Sequence, residues 1–172
     1  MKHLRTIAVV ASILASSGAA QAATFWSVPA SACVPVVDRG NIPIHKANAA
    51  SVQFSGANIG TIVLNCPIQP YDGSGYNPRL RLTYQDSTGT NAGAAITVQI
   101  RKMTIGTVDP AVLFSASSDS VAITGPNSLT TDFLGAPLDF ETNTYWARVV
   151  LTRTSSTQTV VFHALTIEGL PF

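Results

Sequence analysis

The chain has 172 residues, 46% of them apolar, yet only 11% carry a charge, well under the quarter usual in globular proteins. Ten Lys and Arg stand against nine Asp and Glu, a formal net charge of +1, and so even a balance argues against nucleic acid or an anionic membrane surface as a partner. Two cysteines without a Cys-x-x-Cys spacing, and three scattered histidines, exclude the usual redox and zinc motifs, so no metal or other cofactor is expected.

The first 22 residues, MKHLRTIAVVASILASSGAAQA, place Lys2 and Arg5 ahead of an uncharged apolar run from Ile7 to Ala15 and end in Ala20-Gln21-Ala22. That is the pattern of a secretory signal peptide. Its apolar run is too short for a bilayer core of about 30 Å, and no later segment approaches the roughly 18 uninterrupted apolar residues of a membrane helix, so membrane insertion is not expected. Cys33 lies well past the small-residue site, which argues against a lipid anchor. Cleavage after Ala22 would leave residues 23–172, a length that suits one domain. Loss of Lys2 and Arg5 leaves eight Lys and Arg against the nine acids, a net charge of −1.

The next stretch, with Pro29 and Pro35 around Cys33, reads as an irregular arm. Cys66 ends the β-forming run GTIVLNC, and export to an oxidising compartment makes a Cys33–Cys66 disulfide the expected pairing. It would pin the arm to the strand that ends at Cys66.

Two-residue alternation then recurs along the chain, with no sustained helical period. Val52 and Phe54 alternate with Ser51, Gln53 and Ser55, and a turn at Gly56-Ala57-Asn58 leads into Ile59 to Cys66. Leu80, Leu82 and Tyr84 alternate with Arg79, Arg81 and Thr83; a turn-rich stretch from Asp86 to Gly93 follows, then Ile96, Val98 and Ile100 alternate with Thr97, Gln99 and Arg101. Short strands are expected at 111–115, 120–124 and 129–133. In the C-terminal segment Tyr145, Ala147, Val149 and Leu151 share one face, with Trp146 and Arg148 on the other. Thr154 to Gln158 makes a turn before a second β-rich run from Thr159 to Ile167, and a hairpin is the direct reading. Eight or nine short strands in 150 residues predict an all-β fold, an antiparallel two-sheet sandwich of jelly-roll or Ig-like topology.

The set ACVP at 32–35, GTIVLNCP at 60–67 and YWARVVLTR at 145–153, followed by an apolar strand, resembles a group of small secreted bacterial proteins of unassigned function. The resemblance covers most of residues 23–172 and rests on framework motifs. Related sequences often carry further cysteines in the middle region, which this chain lacks, and the resemblance implies no catalytic residues.

The chain has no nucleophile elbow, His-Glu-x-x-His, phosphate-binding glycine loop or EF-hand loop. His45 and His163 lack a partnered nucleophile. Asp139 and Glu141 in LDFET could share a face of an extended segment, as glycosidase carboxylates would, but polar turn residues surround both.

The loop YDGSGYNP offers more. Tyr71 and Tyr76 could stack on sugar rings, Asp72 and Asn77 could hydrogen-bond to them, and Arg79 and Arg81 begin the next strand on its polar face. With Arg101, Arg148 and Arg153 these arginines would form a stripe for anionic groups, provided their strands are neighbours. The sequence therefore reads as an exported, periplasmic or extracellular, non-enzymatic β-sandwich that binds a glycan or a protein. A carbohydrate-active hydrolase and a structural subunit of a secreted assembly are the alternatives.

Overall fold

The computed structural model describes residues 22–36, 45–47, 50–72, 76–91, 93–132 and 138–171, with the backbone alone at 45–47 and 171. The expected signal segment up to residue 21, the His45 side chain, Gly73 to Gly75 and Phe133 lie outside the described residues.

The protein is an all-β sandwich of two antiparallel sheets. The strands are β1 (Ala23–Pro29), β2 (Val34–Pro35), β3 (His45–Ala47), β4 (Val52–Phe54), β5 (Gly60–Pro67), β6 (Tyr76–Asp86), β7 (Ala94–Thr104), β8 (Ala111–Ser117), β9 (Gly125–Asp132), β10 (Asn143–Arg153) and β11 (Val160–Pro171). One sheet runs β3-β4-β11-β6-β9, with β1 also paired to β11, and the other runs β2-β5-β10-β7-β8. From β4 onward nearly every connection crosses from one sheet to the other, with β7 to β8 the exception. That back-and-forth winding is the jelly-roll pattern, and it differs from an Ig sandwich, where successive strands more often stay in one sheet.

Period-two alternation produces the core directly. Leu80, Leu82 and Tyr84 on β6 and Leu165 and Ile167 on β11 point inward from one sheet, and Ile62, Leu64, Ile96, Val98, Ile100, Val149 and Leu151 meet them from the other. All are essentially sealed from solvent.

Four local expectations are revised. The expected C-terminal hairpin is absent: β10 pairs with β5 and β7, whereas β11 pairs with β6, β4 and β1. The Thr154–Gln158 turn is thus an arch between sheets, which lets both strands bury an apolar face against each other's sheet. The arm before Cys33 is a strand, β1, completed by pairing with β11 over Ala23–Gly169 to Pro29–Ala164. Residues 120–124 form no strand; a short 3-10 turn at Ser118–Ser120 occupies the place. The arginine stripe is divided, because Arg79 and Arg81 lie on β6 in one sheet and Arg101 and Arg148 on β7 and β10 in the other.

Arg153 leaves the stripe altogether. It is buried, its guanidinium lies 4.8 Å from the Phe54 ring centroid, and it donates to the carbonyls of Gly56, Asn58 and Gln158. It thereby ties the β4–β5 and β10–β11 arches together. A second polar lock spans the sheets through Asp86. This buried carboxylate accepts from the Thr88 N–H at 2.8 Å and the Ser118 hydroxyl at 2.6 Å, and the Ser118 oxygen in turn accepts from the Ile96 N–H at 3.0 Å.

Cys33 and Cys66 are joined in a buried disulfide, with Cα atoms 4.4 Å apart. The bridge fastens β2 and the turn before it to β5, one residue from the Val34–Asn65 pairing.

Candidate functional site

At one end of the sandwich the segment leaving β5 meets the segment entering β10, and the two enclose an open groove of about 640 Å³. Pro70, Tyr71 and Asp72 line one side and Leu138, Asp139, Phe140 and Glu141 the other. Exposure divides them by chemistry. Tyr71, Leu138 and Phe140 are half-buried and form the floor, while the three carboxylates are exposed at the rim.

The floor is the visible part of an aromatic cluster that closes this end of the core. Tyr71 stacks on Phe25 with centroids 5.1 Å apart and planes 7° apart; Tyr76 meets the Phe25 ring edge-on at 5.2 Å. On the other side Phe140 lies edge-on to Tyr71 at 5.5 Å and to Tyr145 at 5.0 Å. Phe25 reaches this position because β1 bulges between Thr24 and Trp26, and a bulge re-aims the extra side chain. Gly169 on β11 makes room for it: a Cβ there would fall 2.4 Å from the Phe25 ring.

Burial, and then the nearby Tyr145, push the Tyr71 phenol up to about 12. Its hydroxyl oxygen is buried without a hydrogen-bond partner. Tyr145 is better served, since its oxygen accepts from the Asp139 N–H at 3.1 Å.

Asp139 is held below its ordinary value by the Thr142 hydroxyl, which donates to Oδ2, and by the Glu141 N–H, which donates to Oδ1 at 3.0 Å. It shapes the turn into β10. Among the described residues no group of three or more His, Cys, Asp or Glu side chains could hold a metal, and no helix is long and apolar enough to cross a membrane.

The six sequence candidates fall into two places. Tyr71 and Asp72 line the groove, and Tyr76 joins Tyr71 through Phe25. Asn77, Arg79 and Arg81 lie on the outer face of β6, opposite in parity to the buried Leu80 and Leu82. There Arg79 is paired with Asp132 at 2.8 Å and Arg81 with Glu168 at 2.9 Å. Phe25, Leu138 and Phe140 were not singled out in the sequence. The only local sign was the adjacent aromatic pair Phe25-Trp26, which breaks the alternation of a regular strand.

The outer face of the five-stranded sheet is differently made. One row across it runs Pro67, Trp146, Arg101, Val112, and the next runs Val34, Asn65, Arg148, Gln99, Ser115. The expected outward direction of Trp146 and Arg148 is therefore observed, opposite the buried Ala147 and Val149.

No protein-family model matches the sequence, and no curated protein matches it. Among solved structures the chain is similar to the xylan-binding module CBM15, at 16% identity and a TM-score of 0.47 over 85% of this chain and 97% of that one. A mutant xylanase 10C from Cellvibrio japonicus in complex with xylopentaose is similar at 16% identity and a TM-score of 0.46, over 86% of this chain and 29% of that one. A family 11 carbohydrate-binding module from Clostridium thermocellum, in complex with a β-1,3-1,4-mixed-linked tetrasaccharide, gives 13% and 0.40 over 81% and 98%. Likenesses this distant transfer no residue roles and no ligand.

Proposed function

We propose that the protein is an exported, non-enzymatic glycan-binding β-sandwich, and that a neutral saccharide occupies the groove between residues 70–72 and 138–141. The observation that carries this reading is the groove's division into an aromatic floor and a carboxylate rim. A sugar ring offers an apolar C–H face to Tyr71 and Phe140 and hydroxyl donors to Asp72 and Glu141. Three neighbouring carboxylates repel an anion, so a neutral sugar suits the groove. The signal-like first 22 residues and the Cys33–Cys66 disulfide support export to an oxidising compartment.

A hydrolase would need one carboxyl kept protonated as a general acid. Asp139 is shifted the opposite way and its oxygens are engaged within its own turn. That favours acceptance of hydroxyls over proton donation.

Affinity electrophoresis through gels containing xylan, mixed-linked β-glucan or galactomannan tests the reading. At least one neutral polysaccharide should retard the protein, and the exposed-site double variant Asp72→Asn with Glu141→Gln should weaken that retardation about tenfold, because two hydrogen bonds lose their charge assistance. Mobility as in an empty gel for every polysaccharide, or retardation untouched by the double variant, would remove the groove as the site.

One observation favours the structural-subunit alternative. Edge strand β8 exposes Val112, and Ile105 and Val108 before it are 61% and 85% exposed. Such an apolar edge can pair with a second chain. Sedimentation over a wide concentration range separates the two: a persistent monomer supports the binding module, and growing oligomers support the subunit.

A further inference from the structure

The two outer sheet faces treat their cations differently. On the six-stranded sheet both outward arginines of β6 are neutralised within the sheet, Arg79 by Asp132 and Arg81 by Glu168. The five strands of the other sheet contain no Asp or Glu at all. Their outward arginines, Arg101 and Arg148, have no ion-pair partner among the described residues.

Register places these two cations together. Arg101 is directly opposite Trp146 and Arg148 directly opposite Gln99, so the arginines are diagonal neighbours on adjacent strands, about 7–8 Å apart at their Cα atoms. Two like charges this close, without a counterion, disfavour the folded sheet, and a surface that merely needed solubility would place an acid between them as the opposite face does.

The neutral groups around them narrow the ligand further. The half-exposed side-chain amides of Asn65 and Gln99, on either side of Arg148, each present donors and an acceptor at this face. A complementary ligand must therefore both donate and accept. Inorganic phosphate or sulfate supplies acceptors almost exclusively, whereas a hydroxylated carboxylic acid supplies both. Trp146, half-buried between Pro67 and Arg101, adds an aromatic surface for an apolar sugar face.

We infer that this face, centred on Trp146, Arg101 and Arg148 with Asn65 and Gln99 beside them, binds a linear polysaccharide containing uronic acid residues. The arginine forks take the carboxylates, the two amides take ring hydroxyls, and the indole takes the sugar face. The site uses none of the groove residues and takes an anionic ligand where the groove takes a neutral one, so its failure and that of the groove are separable.

Titration calorimetry and affinity electrophoresis with polygalacturonate test it. Saturable binding should weaken with salt and drop about tenfold or more in the double variant Arg101→Gln with Arg148→Gln, because each lost charge-assisted hydrogen bond is a strong one. Neither arginine holds an ion-pair partner among the described residues, and their mutual repulsion is removed, so the variant should melt at or above the parent's temperature. Trp146→Ala should weaken binding as well, and if it fails to fold the arginine variant still decides. Methyl esterification of the polygalacturonate should abolish binding. Undiminished binding by the arginine variant overturns the inference, as does equal binding of the fully esterified polymer. Equal binding of dextran sulfate would reduce the face to a simple cation patch, and equal binding of polyglutamate would replace the glycan with an acidic protein; either result also overturns it.

Discussion

Tyr71 sits at the point where stability and binding meet. Its ring is stacked on Phe25 and forms the groove floor, while its hydroxyl is buried with nothing to bond to. An unmet buried hydroxyl costs about 1–3 kcal/mol, so Tyr71→Phe should leave stability unchanged or raise it, measured by urea unfolding near pH about 7. Alkali should separate the two proteins. An unfolded tyrosine loses its proton near pH about 10, but Tyr71 in the folded protein does so only near 12. Between those values the unfolded chain binds fewer protons, so parent stability falls as pH rises, and below them Tyr71 adds no slope. Tyr71→Phe should flatten that fall. Tyr84 and Tyr145, also raised by burial, leave part of it in place. An identical alkaline slope in the two proteins would refute the assigned cause.

At the same scale, Tyr71 and Asp72 could be read as groove residues because turn-forming residues flank them and suggest an exposed loop. Phe25 could not. Its placement depends on a bulge in β1 and on the missing side chain of Gly169, which lies far along the chain. Local alternation carries no trace of such a contact.

Strand β10 shows what periodicity does and does not determine. Tyr145, Ala147, Val149 and Leu151 face inward as alternation requires, and Leu151 is 0% exposed. Leu151→Ala should therefore cost about 2–5 kcal/mol in chemical unfolding. A cost under about 0.5 kcal/mol would mean that this face does not carry the core. Pairing is another matter, because the alternation of β10 and β11 suits a hairpin and an arch equally well. The arch prevails because it sets two apolar faces against each other instead of side by side in one sheet.

Two fastenings across elements are similarly testable. Asp86→Ala should cost about 3 kcal/mol, since it removes a buried carboxylate and leaves the Ser118 and Thr88 donors unpaired. The disulfide closes a loop with a sequence separation of 33. Opening it should cost about 3–4 kcal/mol in the chain-entropy account, seen as a lower melting temperature under reductant. An unchanged melting temperature with both thiols shown to be free would contradict that account. The cysteine pairing was open to sequence reasoning because only two cysteines were present. The Asp86 lock was not, because Ser118 lies in a turn where the sequence suggested the approach to a strand.

For the molecule as a whole, the charge pattern separates three kinds of surface. The end groove gathers carboxylates over an aromatic floor, the six-stranded sheet neutralises its outward arginines, and the five-stranded sheet does not. Composition alone showed near neutrality; only sheet order reveals that the cancellation is uneven. The central claim, that the protein holds a neutral glycan in its groove and does not cleave it, is met most directly by a proton–nitrogen NMR titration. The isotopically labelled protein would be mixed with an oligosaccharide of the polysaccharide that retards it. Amide shifts concentrated at residues 70–72 and 138–141, with the sugar signals intact after prolonged incubation, are the predicted result. Shifts confined to other surfaces, or the appearance of new reducing-end signals, would contradict it.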